Sequence, residues 1–239
     1  SQLMDALPRA RMEGSKSWVL SPSKTRSGAV ILANDPHIGF AQPSVWYEAH
    51  LSVAGYERYG YHLAGIPFPL LAHNRDNAYG LTMFENDDID FFREEVRPGD
   101  PGMYRRGDRW KAFETLRRRI AVKGADSVDF SYRRTDLGPL VNDALPAVET
   151  EEPVSMSWVY TEGPNEVLQA LFGISHAADL PSFARAVAKI HAPGLNVMYG
   201  DAQGHIAWWA AARLHRYPDS VSTKVFLEGK MAGTDGKKP

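Results

Sequence analysis

Ser15 lies in segment 14–18 (GSKSW), directly after a glycine. An interior serine hydroxyl needs a neighbouring base before it can act as a nucleophile. A cut between Gly14 and Ser15 would free an α-amine, with an ordinary pKa of about 7.7–8.0, on the residue that carries the hydroxyl. One residue would then supply both nucleophile and base, and glycine suits such a cut because it tolerates a strained backbone. Taken alone, however, a serine before a strand is usually a turn residue.

Two further polar side chains could assist such a reaction. His37, in segment 34–39 (NDPHIG), is expected in a loop after an apolar strand. It could orient the Ser15 hydroxyl or amine, although an ordinary surface histidine explains it equally well. Asn196 interrupts the apolar strand predicted over 194–199 (GLNVMY), where its amide must find hydrogen bonds. It is either a satisfied structural amide or a donor to an oxyanion, which is worth roughly 3–4 kcal/mol in the transition state.

Segment 85–90 (ENDDID) concentrates carboxylates. Asp87, Asp88 and Asp90, with the carbonyl between them, offer the oxygen ligands that Ca²⁺ prefers. The spacing differs from the calcium loop of an EF-hand, which needs a glycine and a distal glutamate at set positions. A solvated acidic turn is an equally good interpretation of these residues.

Two other serine motifs fail on their context. Segment 21–24 (SPSK) matches the S-x-x-K pattern of serine–lysine enzymes, but it lies in a predicted turn and the companion motifs S-D-N and K-T-G do not occur. Ser44 lacks the glycines of a G-x-S-x-G nucleophile elbow. Neither a β-lactamase nor an α/β-hydrolase is therefore indicated.

Composition excludes several classes of function. The formal net charge of −2 provides no field to attract nucleic acid or an anionic membrane, and the arginine run 117–119 reads as an exposed strand. No apolar run approaches the roughly 20 residues of a membrane span, and segment 1–14 lacks the apolar core of a signal peptide. The absence of cysteine excludes thiol nucleophiles, thiolate metal sites and disulfides.

The order of predicted elements is typical of an α+β layered fold. Segment 97–113, rich in Pro, Gly and Arg, is expected to be an exposed excursion, and the tail 228–239 is expected to close no element. Helices are predicted over 165–174, with Asn165 as N-cap, and over 180–190, with Pro181 in the first turn. Strands are predicted over 17–20, 28–33, 45–53, 56–64, 78–83, 90–96, 117–122, 127–133, 195–199 and 205–211.

Several ordered motifs together resemble one family. Segment 14–51, from GSKSWVL through NDPHIG to VWYEAHL, resembles the start of the catalytic β-subunit of penicillin acylases. That family includes cephalosporin acylases and acyl-homoserine-lactone acylases. The similarity continues through 67–90 (PFPLLAHNRDNAYGLTMFENDDID), 133–141 (RRTDLGPLV) and 194–209 (GLNVMYGDAQGHIAWW), and so spans most of 14–217.

The resemblance implies roles for individual residues. Ser15 would be the nucleophile released by autocatalytic cleavage after Gly14, with His37 close to it. The backbone N–H of Met83 and the side chain of Asn196 would bind the oxyanion, and Arg216 would match an arginine near that asparagine. A structural calcium ion would take ligands from Asp87, Asp90 and the Ile89 carbonyl.

The sequence also departs from the family pattern at three positions. Lys16 replaces a usual asparagine, Leu137 a histidine and Leu214 a proline.

The resemblance implies the four-layer αββα sandwich of N-terminal-nucleophile hydrolases, incomplete in this chain. Residues 1–14 would be the end of a spacer or propeptide, and residues 15–239 one domain, the N-terminal portion of the catalytic β-subunit. The α-subunit and the remainder of the β-subunit would be partners, in a periplasmic or secreted protein without an organic cofactor. The substrate would be an N-acylated small amine such as a β-lactam or an acyl-homoserine lactone. The alternative is a non-catalytic scaffold or interaction remnant of the same fold.

Overall fold

The computed structural model describes residues 12–39, 41–145, 148 and 150–232. These residues form two compact units. The first unit comprises residues 12–86 and 163–213, and the second comprises residues 87–162 and 214–232. No helix in the described ranges combines the length and apolar character needed to cross a membrane.

Short strands dominate the described residues, and helices are few. The strands are β1 (Met12–Leu20), β2 (Ile31–Ile38), β3 (Trp46–Val53), β4 (Tyr56–Leu63), β5 (Leu71–His73), β6 (Asn77–Met83), β7 (Ile89–Arg93), β8 (Val96–Arg97), β9 (Asp100–Arg106), β10 (Arg109–Ala112), β11 (Glu114–Ile120), β12 (Val128–Arg134), β13 (Val154–Trp158), β14 (Leu195–Asp201), β15 (Ile206–Ala211) and β16 (Leu227–Glu228). The α-helices are α1 (Val141–Ala144), α2 (Val167–His176) and α3 (Leu180–Val187), and 3₁₀ turns cover Pro22–Lys24, Val159–Thr161 and Gly229–Met231.

The first unit is built in three layers. Its centre is an antiparallel sheet in the order β15-β14-β6-β5-β4-β3, and the β1–β2 hairpin packs on one face of β6 and β14. Helices α2 and α3 pack on the other face, where Tyr79, Leu81, Val197 and Tyr199 join their buried side chains in one core. Because side chains alternate along a strand, the intervening residues of β6 and β14 must face the hairpin. The sheet therefore carries a core on one face and the strand that contains Ser15 on the other.

The two predicted long helices are confirmed, with different ends. Helix α3 begins at a capping box in which the Asp179 side chain accepts from the Ser182 N–H and the Ser182 hydroxyl bonds back to Asp179. Pro181 lies in its first turn, as expected. Helix α2 begins at Val167, whose N–H donates to the Asn165 side chain at 3.1 Å, so Asn165 satisfies a helical donor from just outside the helix.

Arg58 fixes the end of α2 to the sheet. Its side chain is 2% exposed and donates to the carbonyls of Ser175 (2.7 Å) and Ala177 (3.2 Å) and to Asn77 Oδ1 (2.8 Å). A cation stabilises the carbonyl end of a helix through the helix dipole. The guanidinium also lies over the Tyr79 ring, 5.7 Å from its centroid. Burial lowers the pKa of Arg58, as expected for a cation whose hydrogen-bond partners are all neutral.

We expect Arg58→Met to lower the free energy of unfolding by about 3 kcal/mol, because buried acceptors lose their donors. The matched control is Arg75→Met, whose side chain is 89% exposed and lies 3.8 Å from Glu57. An exposed pair of that kind contributes roughly 0–1 kcal/mol. Urea unfolding of the full-length protein measures both changes, and equal small losses in the two variants would contradict the anchoring role of Arg58.

The second unit is organised around a buried carboxylate. Its strands form three small sheets, β10-β9-β8, β11-β12 and β13-β7-β16. Glu94 follows β7, is fully buried, and accepts through Oε1 from Arg106 Nη2 (3.0 Å), Thr135 Oγ1 (3.1 Å) and Ser155 Oγ (2.6 Å). Those donors come from β9, from the turn after β12 and from β13, so one carboxylate links strands of different sheets.

Segment 97–113, expected to be an exposed excursion, is largely exposed, but it also forms strands β9 and β10, which were not predicted, and it buries Tyr104. The expectation that the tail 228–239 closes no element is wrong at its start, because Glu228 ends β16, which pairs in parallel with β7, and Gly229–Met231 form a 3₁₀ turn. Residues 233–239 of the tail lie outside the described residues. The predicted strands 117–122 and 127–133 are confirmed as β11 and β12, which pair antiparallel, and the arginine run 117–119 lies exposed on β11.

Candidate active site

Ser15 lies within strand β1, which continues across the Gly14–Ser15 peptide. Ser15 pairs with Pro36 on β2, and the pairing register shifts between Met12 and Gly14. Gly14 has φ of +135°, a conformation that side chains with a Cβ rarely adopt. The predicted cleavage point therefore coincides with an irregularity of the strand that only glycine accommodates readily.

The Ser15 side chain faces the six-stranded sheet. Ser15, Ser17 and Val19 alternate with exposed residues and share one face of β1. That face is the inner one, because Val19 Cγ2 lies 3.3 Å from the position that a Cβ on Gly200 of β14 would take. Ser15 is accordingly half-buried.

The register brings Ser15 to the level of two predicted oxyanion donors. Gly80 lies on β6, two residues from the position that pairs with residue 200 of β14. Gly80 contacts Asn34, and Asn34 pairs with residue 17 of β1. One further step of two residues takes β1 to Ser15 and β6 to residue 82, which directly precedes the end of the strand at Met83. Asn196 pairs with residue 82 at that same level of β14. The structure therefore gathers these three predicted residues at one end of the first unit.

The backbone of Met83 offers an N–H at this end. The Phe84 N–H donates to the Gly194 carbonyl at 3.1 Å, which makes 84 and 194 a hydrogen-bonded pair of the antiparallel ladder. The next pair, Met83 with Leu195, is then a non-hydrogen-bonded pair, so the Met83 N–H points away from β14. By the same alternation, the Leu81 N–H also points away from β14, and it donates to the Asn34 side chain.

The amide of Asn196 is held in one orientation. Its Nδ2 donates to the Met83 carbonyl at 2.9 Å, and its Oδ1 accepts from Trp208 Nε1 at 3.0 Å. Because an indole N–H can only donate and a carbonyl can only accept, the amide cannot be reversed without losing both bonds. The NH₂ group carries a second hydrogen that the bond to Met83 does not use. Asn196 therefore faces the hairpin with its donor group at the end of β6.

His37 lies in strand β2, so the expectation of a loop is wrong. Because Ser15 pairs with Pro36, the neighbouring His37 has its side chain on the opposite face of the hairpin. Its ring bonds to Asp35 Oδ2 at 2.7 Å, and His37 pairs in the register with Gly14. His37 thus lies beside the predicted cleavage point, and its role toward the serine stays a prediction.

The other predicted site residues belong to the second unit. Asp87 is exposed, whereas Asp90 is buried on β7, with one carboxylate oxygen accepting from Tyr217 (2.5 Å) and bonded to His215 (3.0 Å). The bond to Asp90 raises the pKa of His215 above its ordinary value. Arg216 is exposed and lies between His215 and Tyr217 in the chain, and its place near Asn196 stays a prediction.

The second carboxylate oxygen of Asp90, Oδ1, is buried without a hydrogen-bond partner among the described residues. Such an atom fits the role of a metal ligand, since buried polar atoms otherwise find partners. Within the same part of the chain, no three His, Cys, Asp or Glu side chains are grouped to hold a metal ion. A calcium site here would therefore need carbonyl oxygens or further residues to complete it.

Comparison with known proteins identifies the family to which this chain belongs. The model of the penicillin amidase family matches residues 1–237, so the chain belongs to that family. Acyl-homoserine lactone acylase QuiP of Pseudomonas aeruginosa is 27% identical over 241 residues, which is 97% of this chain and 28% of that protein. Penicillin acylase 2 proenzyme of Pseudomonas sp. SE83 is 30% identical over 86% of this chain and 26% of its own length.

The fold has a solved counterpart. Thermostable penicillin G acylase from Alcaligenes faecalis superimposes with a TM-score of 0.78 over 90% of this chain and 38% of its own, at 23% identity. The chain thus shares the fold of that acylase. It spans about a quarter of the length of the curated relatives it matches.

Sequence reasoning missed two residues that contact the predicted site. Asn34 bonds to both β1 and β6, and Trp208 orients Asn196. Asn34 ends an apolar run, GAVILAN, which is the same signal that drew attention to Asn196. Trp208, within the run WW, gave no such signal, because aromatic pairs in strands are usually core residues.

Proposed function

We propose that the protein containing this chain hydrolyses the amide bond of N-acylated small amines through an acyl-enzyme on Ser15, after cleavage of the Gly14–Ser15 peptide. The convergence of Ser15, the Met83 N–H and the Asn196 amide at one end of the first unit supports this proposal. Membership of the penicillin amidase family supports amide hydrolysis in general.

In the proposed reaction, Ser15 Oγ attacks the amide carbonyl carbon while the freed α-amine of Ser15 takes the hydroxyl proton. The tetrahedral oxyanion accepts hydrogen bonds from the Met83 N–H and from Asn196 Nδ2. The C–N bond then breaks, and the departing amine carries away the proton held by the α-amine. Water attacks the resulting ester, passes a proton back through the α-amine to Ser15 Oγ, and releases the acid.

The substrate class and the partners belong to the same proposal. Names of the relatives point to acyl-homoserine lactones and penicillins as the N-acyl amines to test first. Because the chain spans about a quarter of those relatives, we propose that the α-subunit and the remainder of the β-subunit supply the fourth layer of the αββα sandwich and part of the acyl site. Export to the periplasm or the medium is proposed from the family resemblance.

The test is the N-terminal mass of the catalytic chain in the full-length protein, followed by a screen of N-acyl amides. A chain that begins at Ser15 and releases free amine from a panel member would support the enzyme. If residues 1–14 stay attached in the complete protein and no amide is cleaved, the scaffold interpretation is favoured instead. A panel of N-acyl homoserine lactones, penicillins and N-acyl 4-nitroanilides varies the acyl group and the amine of the substrate independently.

We also propose a structural calcium ion bound by Asp87, Asp90 and the Ile89 carbonyl, with the buried Asp90 Oδ1 as its innermost ligand. The ion would supply charge that holds these oxygens together, and it takes no part in the acyl transfer.

EDTA is expected to lower the Tm of the full-length protein and added Ca²⁺ to restore it, because a ligand of the native state stabilises it by about 2.7 kcal/mol at 100 times its Kd. Asp90→Asn should abolish the response, whereas Asp126→Asn, an exposed carboxylate in the turn after β11, should retain it. An unchanged Tm together with no metal by elemental analysis would rule out the site.

A further inference from the structure

Asn34 joins the strand that carries Ser15 to the strand that ends at Met83. Its Nδ2 donates to the Lys16 carbonyl at 2.9 Å and to the Leu81 carbonyl at 3.1 Å. Its Oδ1 accepts from the Leu81 N–H at 2.9 Å. The amide therefore contacts the backbone of the residue directly after Ser15 and both backbone groups of the residue two before Met83.

These bonds replace a missing strand. The Leu81 N–H and C=O point away from β14, and β5 pairs with β6 only at residues 78 and 79. The Asn34 amide presents to Leu81 the same donor and acceptor that a neighbouring backbone would present. The neutral amide of Asn34 can donate two hydrogen bonds and accept through its oxygen. The three bonds use both of its hydrogens and the oxygen.

The packing leaves Asn34 little freedom to move. It lies directly on Gly80 of β6, where a Cβ would come within 2.7 Å of Asn34 Oδ1 and 2.8 Å of Asn34 Cβ. The absence of a side chain at Gly80 is what lets the amide reach the backbone of β6. The hairpin and the sheet are thus in direct contact at this point, two residues along β1 from Ser15.

We propose that Asn34 is a positioning residue that sets the distance between Ser15 Oγ and the Met83 N–H. This inference rests on the proposed function. Asn34 fixes the backbone of Lys16 and of Leu81. Lys16 directly follows Ser15, and Leu81 lies two residues before Met83. Loss of the amide lets β1 shift relative to β6, which moves the nucleophile away from the oxyanion donor without removing either. A misplacement of about 1 Å is enough to lower a rate roughly 100-fold.

The experiment compares Asn34→Asp and Asn34→Ala with wild type in the full-length protein. Asp keeps the acceptor for the Leu81 N–H and loses both donors, whereas Ala loses all three bonds. The control is Asn142→Ala in the second unit, where the amide accepts from the Val154 N–H (2.8 Å) and donates to the Val148 carbonyl (3.3 Å) and to Thr150 Oγ1 (2.9 Å). It removes the same kinds of bond from a structural asparagine.

Two readouts are needed. The first is cleavage after Gly14 and, for processed molecules, kcat and KM on N-acyl 4-nitroanilides. We expect kcat of both Asn34 variants to fall about 10- to 100-fold at a nearly unchanged KM, and the Asn142 variant to keep wild-type values per folded molecule. The second is hydrogen exchange of the 79–83 backbone, which we expect to quicken at Leu81 in Asn34→Ala.

The outcomes separate this inference from the proposed function. An active wild type with unchanged kcat in Asn34→Asp would overturn the positioning role and leave the proposed function intact. A wild type that is neither cleaved nor active would overturn both, and quickened exchange at Leu81 would then mark Asn34 as a structural amide only. Equal losses of kcat in the Asn34 and Asn142 variants would also overturn the inference, because they would report general destabilisation.

Discussion

Ser15→Ala is expected to leave the chain uncut after Gly14 and to abolish amide hydrolysis, with a loss on the order of 10⁴-fold or more. The substitution removes the only atom that the mechanism uses to form the acyl-enzyme. It also removes the attacking group for cleavage of the Gly14–Ser15 peptide, if that cleavage is autocatalytic. The mass of the catalytic chain and the rate of release of amine measure the two effects independently.

Ser17→Ala is the matched control for this prediction. Ser17 shares the inner face of β1 with Ser15 and donates to the Ala33 carbonyl at 3.2 Å. Its loss should cost about 1 kcal/mol of stability and leave cleavage after Gly14 unchanged. If Ser15→Ala were still cut after Gly14 and still formed an acyl-enzyme, the nucleophile would have to be another residue.

The strand positions could be predicted to a large extent because the alternation of apolar residues is local. Segment 97–113 shows where such reasoning failed. Its content of Pro, Gly and Arg predicted an exposed excursion and no strands, whereas Gly99 (φ +77°) and Gly107 (φ +58°) form the tight turns between β8, β9 and β10. Glycines that end one strand also allow the chain to turn and form the next antiparallel strand. Amino-acid composition alone does not distinguish these two effects.

The candidate site was partly visible in the sequence, because Asn196 interrupts an apolar strand and Ser15 lies in a segment that resembles the start of a catalytic β-subunit. Which groups they meet was not visible. The bond between Asn34 and Leu81 joins residues 47 positions apart and depends on the packing of the hairpin on the sheet. That packing follows from the register, in which a shift of one residue would turn Ser15 to the outer face. A single sequence does not determine such a register.

His37 illustrates a different limit. A histidine near a serine nucleophile suggests a base, but the strand alternation puts its side chain on the outer face with Asp35. A freed α-amine on Ser15 needs no imidazole to accept the proton, since its ordinary pKa lies near neutrality. The geometry is therefore consistent with the proposal that Ser15 alone supplies nucleophile and base, while His37 lies beside Gly14.

Asn196→Ala is expected to lower kcat for amide hydrolysis by about 10²–10³-fold, equivalent to roughly 3–4 kcal/mol, with a much smaller change in KM. The Asn196 amide would donate to the oxyanion, which exists only in the transition state and intermediate, so ground-state binding should change little. Steady-state kinetics on processed protein measures the effect, and a pre-steady-state burst shows whether formation of the acyl-enzyme has become the slow step.

The control for Asn196 is Asn165→Ala, in the same unit. Asn165 uses its amide in the same manner, donating to the Ala192 carbonyl at 3.1 Å and accepting from the Val167 N–H. Its loss should lower stability and leave kcat unchanged. Trp208→Phe should give an intermediate loss of kcat, because the ring is kept and the N–H that orients the Asn196 amide is removed. If KM rose while kcat held in Asn196→Ala, the amide would bind substrate in the ground state, and the oxyanion would have to rely on the Met83 N–H.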